Sequence, residues 1–568
     1  MKRWTARNPE RPNPDPGLAL DHGLPLPMAL VLARRGHDPA GFGRFLSPSI
    51  DDLSNWDSIP GMRDAAAILA EAASRGSRVL IWGDFDADGL TASAVMHGAL
   101  EAAGAVPSIH IPDRMEEGYG LGGRAVEIAS ETGAGTLVTV DCGINACAEV
   151  AALESAGIRT VVTDHHEPGP ELPKASAIVD PRMSRTGDSC PWASLSGSGT
   201  AFLLGRALSE MTGTPGMPGR SIALACIGTI CDIVPLSGDN RIIARLGLEM
   251  LRNGALPGIS ALAARAGFDL EGTTGTDVSF RIGPRLNSCG RIASAAPVLE
   301  LLLADSFEEA VEAADEMERT NDARRILDRK VTEEAARLSA GFEGDPALFL
   351  ASPEWHKGVI GIAASRLASE EGRPVVLCAL DRDGGARGSA RGVPGINLFE
   401  ILSSMSGMLG NFGGHAGAAG LEFRASDLGE LRARFNAEVR ARLPEGPDAG
   451  SVLLDGRLSE DDLTMDLARE LSRMEPFGEG NEEPVWITGD ARPVEWSRVG
   501  GGRHLSCSFS IGGRKLRAIG FGMGGLERPE QGSLDLAYCL RIDEFRGRRE
   551  LRLHLQDVRP SRRSDGRS

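Results

Sequence analysis

The stretch Val79-Leu80-Ile81-Trp82-Gly83-Asp84-Phe85-Asp86-Ala87-Asp88-Gly89 runs from four large apolar residues, through one glycine, into three closely spaced carboxylates. A second junction of the same kind is Thr160-Val161-Val162-Thr163 followed by Asp164-His165-His166. Short β-branched or apolar runs of this type read as strands buried in a parallel sheet, with the polar cluster falling at the strand's C-terminal end. Ligands of open α/β sheets gather at those ends. Three acids so close together repel one another unless cations lie between them, and the neighbouring histidines add imidazole donors. The pattern points to a site for two divalent metals.

Two more segments behave alike. Thr136 to Val140 runs into Asp141-Cys142-Gly143, and the apolar, small-residue stretch Ile222 to Ile230 runs into Cys231-Asp232. A single aspartate after a strand is ordinarily a helix N-cap. Four such segments in series, one carrying a histidine pair, outweigh that reading. Between Ser77 and Ile233 strand-like runs alternate with helical patterns at Thr91 to Ala103 and Ala146 to Ala156, which predicts a parallel sheet covered by helices.

These motifs resemble those of the DHH phosphoesterases, and among them the bacterial single-strand-specific exonucleases. The resemblance runs from about Phe45 to about Val558. It includes Glu117-Gly118-Tyr119-Gly120-Leu121, Arg285-Leu286-Asn287, Trp355 to Ile362, Gly388-Ser389-Ala390-Arg391-Gly392, Gly413-Gly414-His415-Ala416-Gly417 and Glu475 to Asn481. Departures are Ser288-Cys289, where the family usually has two alanines, and Glu482, where proline is common.

The resemblance implies metal ligands Asp86, Asp88, Asp141, His165 and Asp232, with Asp141 bridging two Mn²⁺ or Mg²⁺ ions. Asp84 and His166 become orienting or proton-handling groups beside them. For the substrate it implies a pocket for a 5′-terminal phosphate built from Ser389 and Arg391, with His415 near it and Arg114 and Arg291 facing it. Tyr119 and Leu121 are candidates for stacking on bases; the alternative for Tyr119 is a core aromatic. The implied activity is 5′ to 3′ hydrolysis of single-stranded DNA to mononucleotides in repair and recombination. A helicase and a single-strand-binding protein are the implied partners, and a monomer the implied state. A small-substrate phosphoesterase of the same group would usually lack the third domain, and a non-catalytic relative would have lost ligands.

Composition adds bounds. The chain has 568 residues, enough for three or four domains, and its 42% hydrophobic content is ordinary for a globular core. Nine cysteines without a CxxC pair exclude a zinc ribbon and a secreted disulfide framework, and fit a reducing cytoplasm. No apolar run reaches the roughly 18 residues of a membrane span, and the polar, proline-rich start is not a signal peptide. The net charge of −18 runs against a nucleic-acid partner, so basic residues must be concentrated locally. Only Lys2, Lys174, Lys330, Lys357 and Lys515 are lysines; the arginine bias suits phosphate contact but also follows from genome composition, and so decides nothing.

The expected organisation is α/β and two-lobed. An N-terminal segment spans 1–60 and a DHH catalytic domain 61–300. A connecting helix at 301–342 leads to a DHHA1 domain at 343–445, with a parallel sheet in each lobe. Residues 450–560, with short alternating strands split by glycine pairs, suggest a small barrel, and the resemblance implies an OB fold. Residues 561–568 read as a disordered tail. Ser306 to Leu338 lacks proline and glycine and reads as one long spacer helix or two shorter ones. The glycine-rich pieces Gly384–Gly395 and Gly410–Gly420 are either linkers or phosphate-binding loops.

Overall fold

The computed structural model describes residues 2–561 except 12–15, 114–116, 119, 185–189, 216–218, 444–450, 530–531 and 546–547. The tail expected to be disordered therefore lies, but for Ser561, outside the described residues. After a short strand β1 (Arg3–Ala6), five parallel strands build the first lobe: β2 (Arg78–Gly83), β3 (Val106–His110), β4 (Thr136–Val140), β5 (Arg159–Thr163) and β6 (Ala177–Val179). Their order is β3-β2-β4-β5-β6, all in parallel register. Strand order reverses beside β2, so the crevice between the ends of β2 and β4 is the switch point at which such sheets bind ligands. Val79 to Trp82 are fully buried, because helices cover both faces.

The expected helices appear as Ala87–Ala103 and Cys147–Ser155. The apolar stretch before Asp232 is not a strand like the other three. It is a helix, Gly219–Cys231, buried from Ser221 to Ile230. A helix apolar all round shows no periodicity in its sequence.

Ser306 to Leu338 forms one helix of 33 residues, Phe307–Ser339, about 50 Å long. It is more than a spacer. Ala310, Ala313, Ala314 and Met317 belong to the core of the first lobe, Val331 and Ala335 to that of the second. The second lobe holds β7 (Leu348–Ser352), β8 (Val375–Leu380), β9 (Gly385–Arg391), β10 (Asn411–Gly414) and β11 (Ala418–Arg424) in the order β10-β11-β9-β8-β7. Its sheet corrects the expectation of parallel strands: only β7 and β8 run parallel, because tight turns join β8 to β9 and β10 to β11.

The C-terminal part begins with β12 (Ser451–Leu454) and β13 (Gly456–Arg457). Then β14 (Trp486–Val499), β15 (His504–Ile511), β16 (Arg514–Gly520), β17 (Leu534–Phe545) and β18 (Arg548–Pro560) close into a five-stranded barrel. Closure comes from β14 pairing with both β15 and β17, and β16 pairing in parallel with β18. This is the OB arrangement.

The first 46 residues do not stand apart. β1 pairs in parallel with β12, and Met28, Val31, Leu32 and Phe42 share one hydrophobic cluster with Trp486, Phe509 and Tyr538 of the barrel. The helix Leu26–Arg34 thus buries its apolar face on the other end of the chain. Leu53, Ile59 and Met62 turn instead into the core of the first lobe.

Leu32→Ala is expected to destabilise the barrel rather than the catalytic lobe, by about 2–5 kcal/mol. Limited proteolysis during thermal unfolding checks this: cleavage in 451–560 should appear first. Cleavage starting within 78–230 would show that the N-terminal helix does not stabilise the barrel.

Candidate active site

The ends of β2, β4 and β5 and two helix termini converge on one pocket. Asp86 caps the helix Ala87–Ala103: its Oδ1 accepts the N–H groups of Asp88 at 2.9 Å and Gly89 at 3.1 Å. The N-cap reading therefore holds for this residue without removing it from the acidic cluster. Gly89 is glycine because a Cβ there would lie 2.5 Å from the Asp84 carbonyl oxygen. Asp88 reaches back to the start of the helix Gly197–Thr212, where its oxygens accept from Gly197 N at 2.8 Å and Ser198 N at 2.9 Å. His165 Nε2 lies 3.0 Å from Asp141 Oδ1, 3.5 Å from Asp232 Oδ2 and 3.9 Å from Asp88 Oδ2.

Three overlapping groups place ligand atoms within 4.8 Å of one another: Asp88, His165 and Asp232; Asp84, Asp86 and Asp141; Asp141, His165 and His166. Asp141 and His165 each belong to two of them. Two backbones are strained at this spot. Asp141 has φ 62° and Ile233, beside Asp232, has φ 61°, costly for a β-branched residue.

Both ring nitrogens of His165 and Oδ1 of Asp141 are buried and make no hydrogen bond. Such atoms are expensive to bury without partners. Hard carboxylate oxygens with an imidazole suit Mn²⁺ or Mg²⁺, so the residues fit the expected ions. Burial first, then the charges of Asp88, Asp86, Asp84 and Asp232, hold the Asp141 carboxyl well above its usual range. Burial, then Asp88 and Asp86, push Asp232 up to about 8. Asp86 moves the same way, by burial and by Asp88. Burial lowers His165, keeping it the neutral imidazole that a metal needs.

Asp164 organises the histidine pair. Its carboxylate accepts from Ile144 N at 2.9 Å, His165 N at 2.8 Å and His166 N at 3.2 Å, and meets His166 Nδ1 at 2.7 Å. Burial pulls the His166 pKa down, but that bond and the charges of Asp164, Asp232 and Asp84 outweigh it and raise it to about 9. Two further groups escaped the sequence reading as site residues. Asn287 Oδ1 accepts from Ala87 N at 2.7 Å and ties the helix Gly283–Ile292 to the acidic loop; it lies in the quoted Arg285-Leu286-Asn287. Asp180, fully buried and raised to about 7 by burial, ends β6 just as the other acids end their strands.

The substrate candidates fall into three sets. Arg291, with Phe85, Pro112 and Asp113, lines a cavity of about 170 Å³. Ser389 and Arg391 end β9, where Arg391 Nη1 donates to Ser389 Oγ at 3.0 Å, beside Gly361 of the next helix. A Cβ on Gly358 would lie 2.3 Å from the Arg291 carbonyl oxygen, so the two lobes meet at Arg291. His415 stands exposed in the β10–β11 turn, whose Gly417 carbonyl accepts from Gly392 N at 2.9 Å. Arg114 and Tyr119 lie outside the described residues. Leu121 is a correction: it is 6% exposed and packs with Leu80 and Trp82, so its side chain is core and offers no surface to a base.

Three family descriptions match the chain: the DHH family N-terminal domain over residues 78–229, the DHHA1 domain over 344–441 and the RecJ OB domain over 454–557. The single-stranded-DNA-specific exonuclease RecJ of Salmonella typhimurium is 35% identical over 98% of this chain and 99% of that protein. The chain belongs to the RecJ family. Its Bacillus subtilis member is 34% identical over 98% of this chain and 70% of that protein. The crystal structure of RecJ from Thermus thermophilus in complex with Mn²⁺ superposes with a TM-score of 0.84 at 32% identity, over 99% of this chain and 80% of that one.

The raised carboxylates set a pH dependence. Unfolding returns Asp232 from about 8 to about 4, so the metal-stripped fold loses stability as pH rises through that interval. The loss is at most about 1.4 kcal/mol per pH unit for each such group, and a bound cation offsets it. The rise in Tm on adding Mn²⁺ should therefore be larger at pH 8 than at pH 6. Equal rises would mean that these carboxylates are already ionised at pH 6.

Proposed function

We propose that this chain is a 5′ to 3′ exonuclease that hydrolyses single-stranded DNA to 5′-mononucleotides in DNA repair and recombination. The convergence of Asp84, Asp86, Asp88, Asp141, His165 and Asp232, with the His165 nitrogens buried and unbonded, carries the reading. Bound divalent ions would supply an activated water and neutralise charge on the scissile phosphate. Asp86, Asp88, Asp141, His165 and Asp232 are the residues to hold them. His166, cationic at neutral pH and fixed through Nδ1 by Asp164, stabilises negative charge developing on the phosphate or hands a proton to the departing oxygen. Neither role needs a serine or cysteine nucleophile, and burial pushes the thiol of Cys142 well up, away from reactivity.

Polarity resides in the second lobe. Arg391 clamps the 5′-terminal phosphate, a group of higher charge than an internal diester, with Ser389 and Arg291 beside it. Arg114, Tyr119 and His415 are assigned to the same strand path. The barrel grips the rest of the strand through base stacking and backbone charge; Phe521, 61% exposed between His504 and His554, is its platform. Among the described residues no helix is long and apolar enough to cross a membrane. The chain works in the cytoplasm as a monomer, on strands exposed by a helicase and covered by a single-strand-binding protein.

Asp141→Ala should abolish cleavage of a 5′-phosphorylated single-stranded 30-mer while the protein keeps its fold. A folded variant with wild-type rate would remove this site from the chemistry. Arg391→Ala should weaken binding of 5′-phosphorylated strands by about 1.5–3 kcal/mol and spare 5′-hydroxyl strands. Equal losses on both, or products released first from the 3′ end, would place the phosphate pocket elsewhere.

A further inference from the structure

The helix Gly197–Thr212 starts inside the metal site, and its first turn touches more of that site than any capping role requires. Gly197 N donates to Asp88 Oδ2 at 2.8 Å and Ser198 N to Asp88 Oδ1 at 2.9 Å. Held by one N–H on each oxygen, the carboxylate cannot turn about its own axis. The lone pairs left over are fixed in direction. We propose that the backbone of Gly197 and Ser198, closed from the opposite side by Gly228, is a positioning cradle that sets how Asp88 faces the metals.

Space supplies an argument independent of the hydrogen bonds. A Cβ on Gly197 would stand 2.5 Å from Asp141 Oδ1 and 2.6 Å from Asp141 Cβ and Cγ. A Cβ on Gly228 would stand 2.4 Å from Asp88 Oδ1, 2.3 Å from Ser198 Oγ and 2.4 Å from Thr91 Oγ1. Neither glycine has positive φ, so the backbone conformation does not demand glycine at either place. The acids do. Ser196, which caps this helix through Gly199 N, also meets Thr229 Oγ1 at 2.8 Å. That contact ties the cradle to the helix Gly219–Cys231, which delivers Asp232. One turn thus bears on Asp88, Asp141 and the mounting of Asp232.

The bland alternative is that Asp88 merely satisfies the orphan N–H groups of a buried helix end. The two readings differ in what a methyl group at Gly197 does. If Asp88 serves the helix, the added methyl disturbs folding and leaves metal affinity intact in whatever folds. If the helix serves Asp88, the fold survives and the ions are lost. Gly199, two residues further along the same turn, provides the control, because the nearest neighbours of its Cβ would be Leu195, Ser196 and Ile243, at 3.0–3.5 Å, and not an acid.

The inference rests on the metal-dependent chemistry proposed above, and the test keeps the two apart. Mn²⁺ binding to full-length wild type, Gly197→Ala, Gly228→Ala and Gly199→Ala is measured by electron paramagnetic resonance of free Mn²⁺. Circular dichroism monitors the fold. Gly197→Ala and Gly228→Ala should bind Mn²⁺ at least tenfold more weakly, with kcat reduced and KM for a single-stranded 30-mer unchanged. Gly199→Ala should match wild type. Folded Gly197→Ala or Gly228→Ala protein with wild-type Mn²⁺ affinity overturns the cradle. Wild type that binds no Mn²⁺ overturns the metal chemistry itself. Should both glycine variants fail to fold, hydrogen–deuterium exchange of the wild-type peptide containing 196–199 decides: saturating Mn²⁺ must slow it, and exchange that Mn²⁺ leaves unchanged refutes the cradle.

Discussion

Like-charge repulsion in a buried pocket is the constraint around which this structure is arranged. Asp84, Asp88 and Asp141 are withdrawn from water, with Asp86 and Asp232 beside them. Asp88, Asp141 and Asp232 face the neutral imidazole of His165 rather than a lysine or arginine. The fold answers with backbone N–H groups. Asp86 takes those of its own helix, Asp88 those of the helix Gly197–Thr212, and Asp164 those of Ile144, His165 and His166. Helix N-termini carry partial positive charge, which is why helices starting at the strand ends are the right scaffold for an acidic site. Some cost remains, visible as the strained φ of Asp141 and Ile233 and the His165 nitrogens buried without a hydrogen bond. Such strain persists only where the surroundings over-determine it.

What could be read from sequence was local. An apolar run ending in an acid is one strand long, so Asp84, Asp141 and His165 announced themselves, and a proline-free stretch announced the long helix. The apolar stretch before Asp232 could not be told from a buried strand, since a helix buried on every side has no polar face to reveal its period. Leu121 failed for a related reason. It was a stacking candidate because it lies in the Glu117–Leu121 motif, but it packs against Trp82, whose Nε1 donates to the Gly120 carbonyl at 3.0 Å across 38 positions. Least legible was the start of the chain. Its polar, proline-rich residues give no strand signal, and the pairing of Arg3–Ala6 with Ser451–Leu454 spans almost the whole sequence.

The acidic total charge likewise says little about the surface a polyanion would meet. Several arginines are spent inside the fold: Arg285 pairs with Glu318 at 2.6 Å, Arg373 with Glu371 at 3.0 Å and Arg35 with the fully buried Asp455 at 3.2 Å. Net charge counts such pairs as zero wherever they lie. A strand near the site responds to what stands within a screening length of about 8–10 Å. At the meeting of the two lobes Gly358 abuts the backbone of Arg291, and three residues on Gly361 abuts Arg391.

The pairing of the chain's two ends bears on how the three parts work as one. Arg241, on a helix of the first lobe, stacks 3.5 Å over the Phe45 ring and donates to the Phe45 carbonyl at 3.0 Å. The loop Glu475 to Asn481 enters the same junction: Arg252 meets the Glu475 carboxylate at 3.2 Å, and Leu236 N donates to the Glu479 carbonyl at 2.7 Å. Asn481 is held in turn by Arg35 at 3.0 Å. The N-terminal segment is therefore a strap that helps fasten the barrel to the first lobe, and the Glu479–Leu236 bond of the same junction lies four residues from Asp232. A barrel hung on a free linker would hold a strand at any angle to the catalytic pocket. A barrel fastened at both ends of the chain is held at one angle to that pocket.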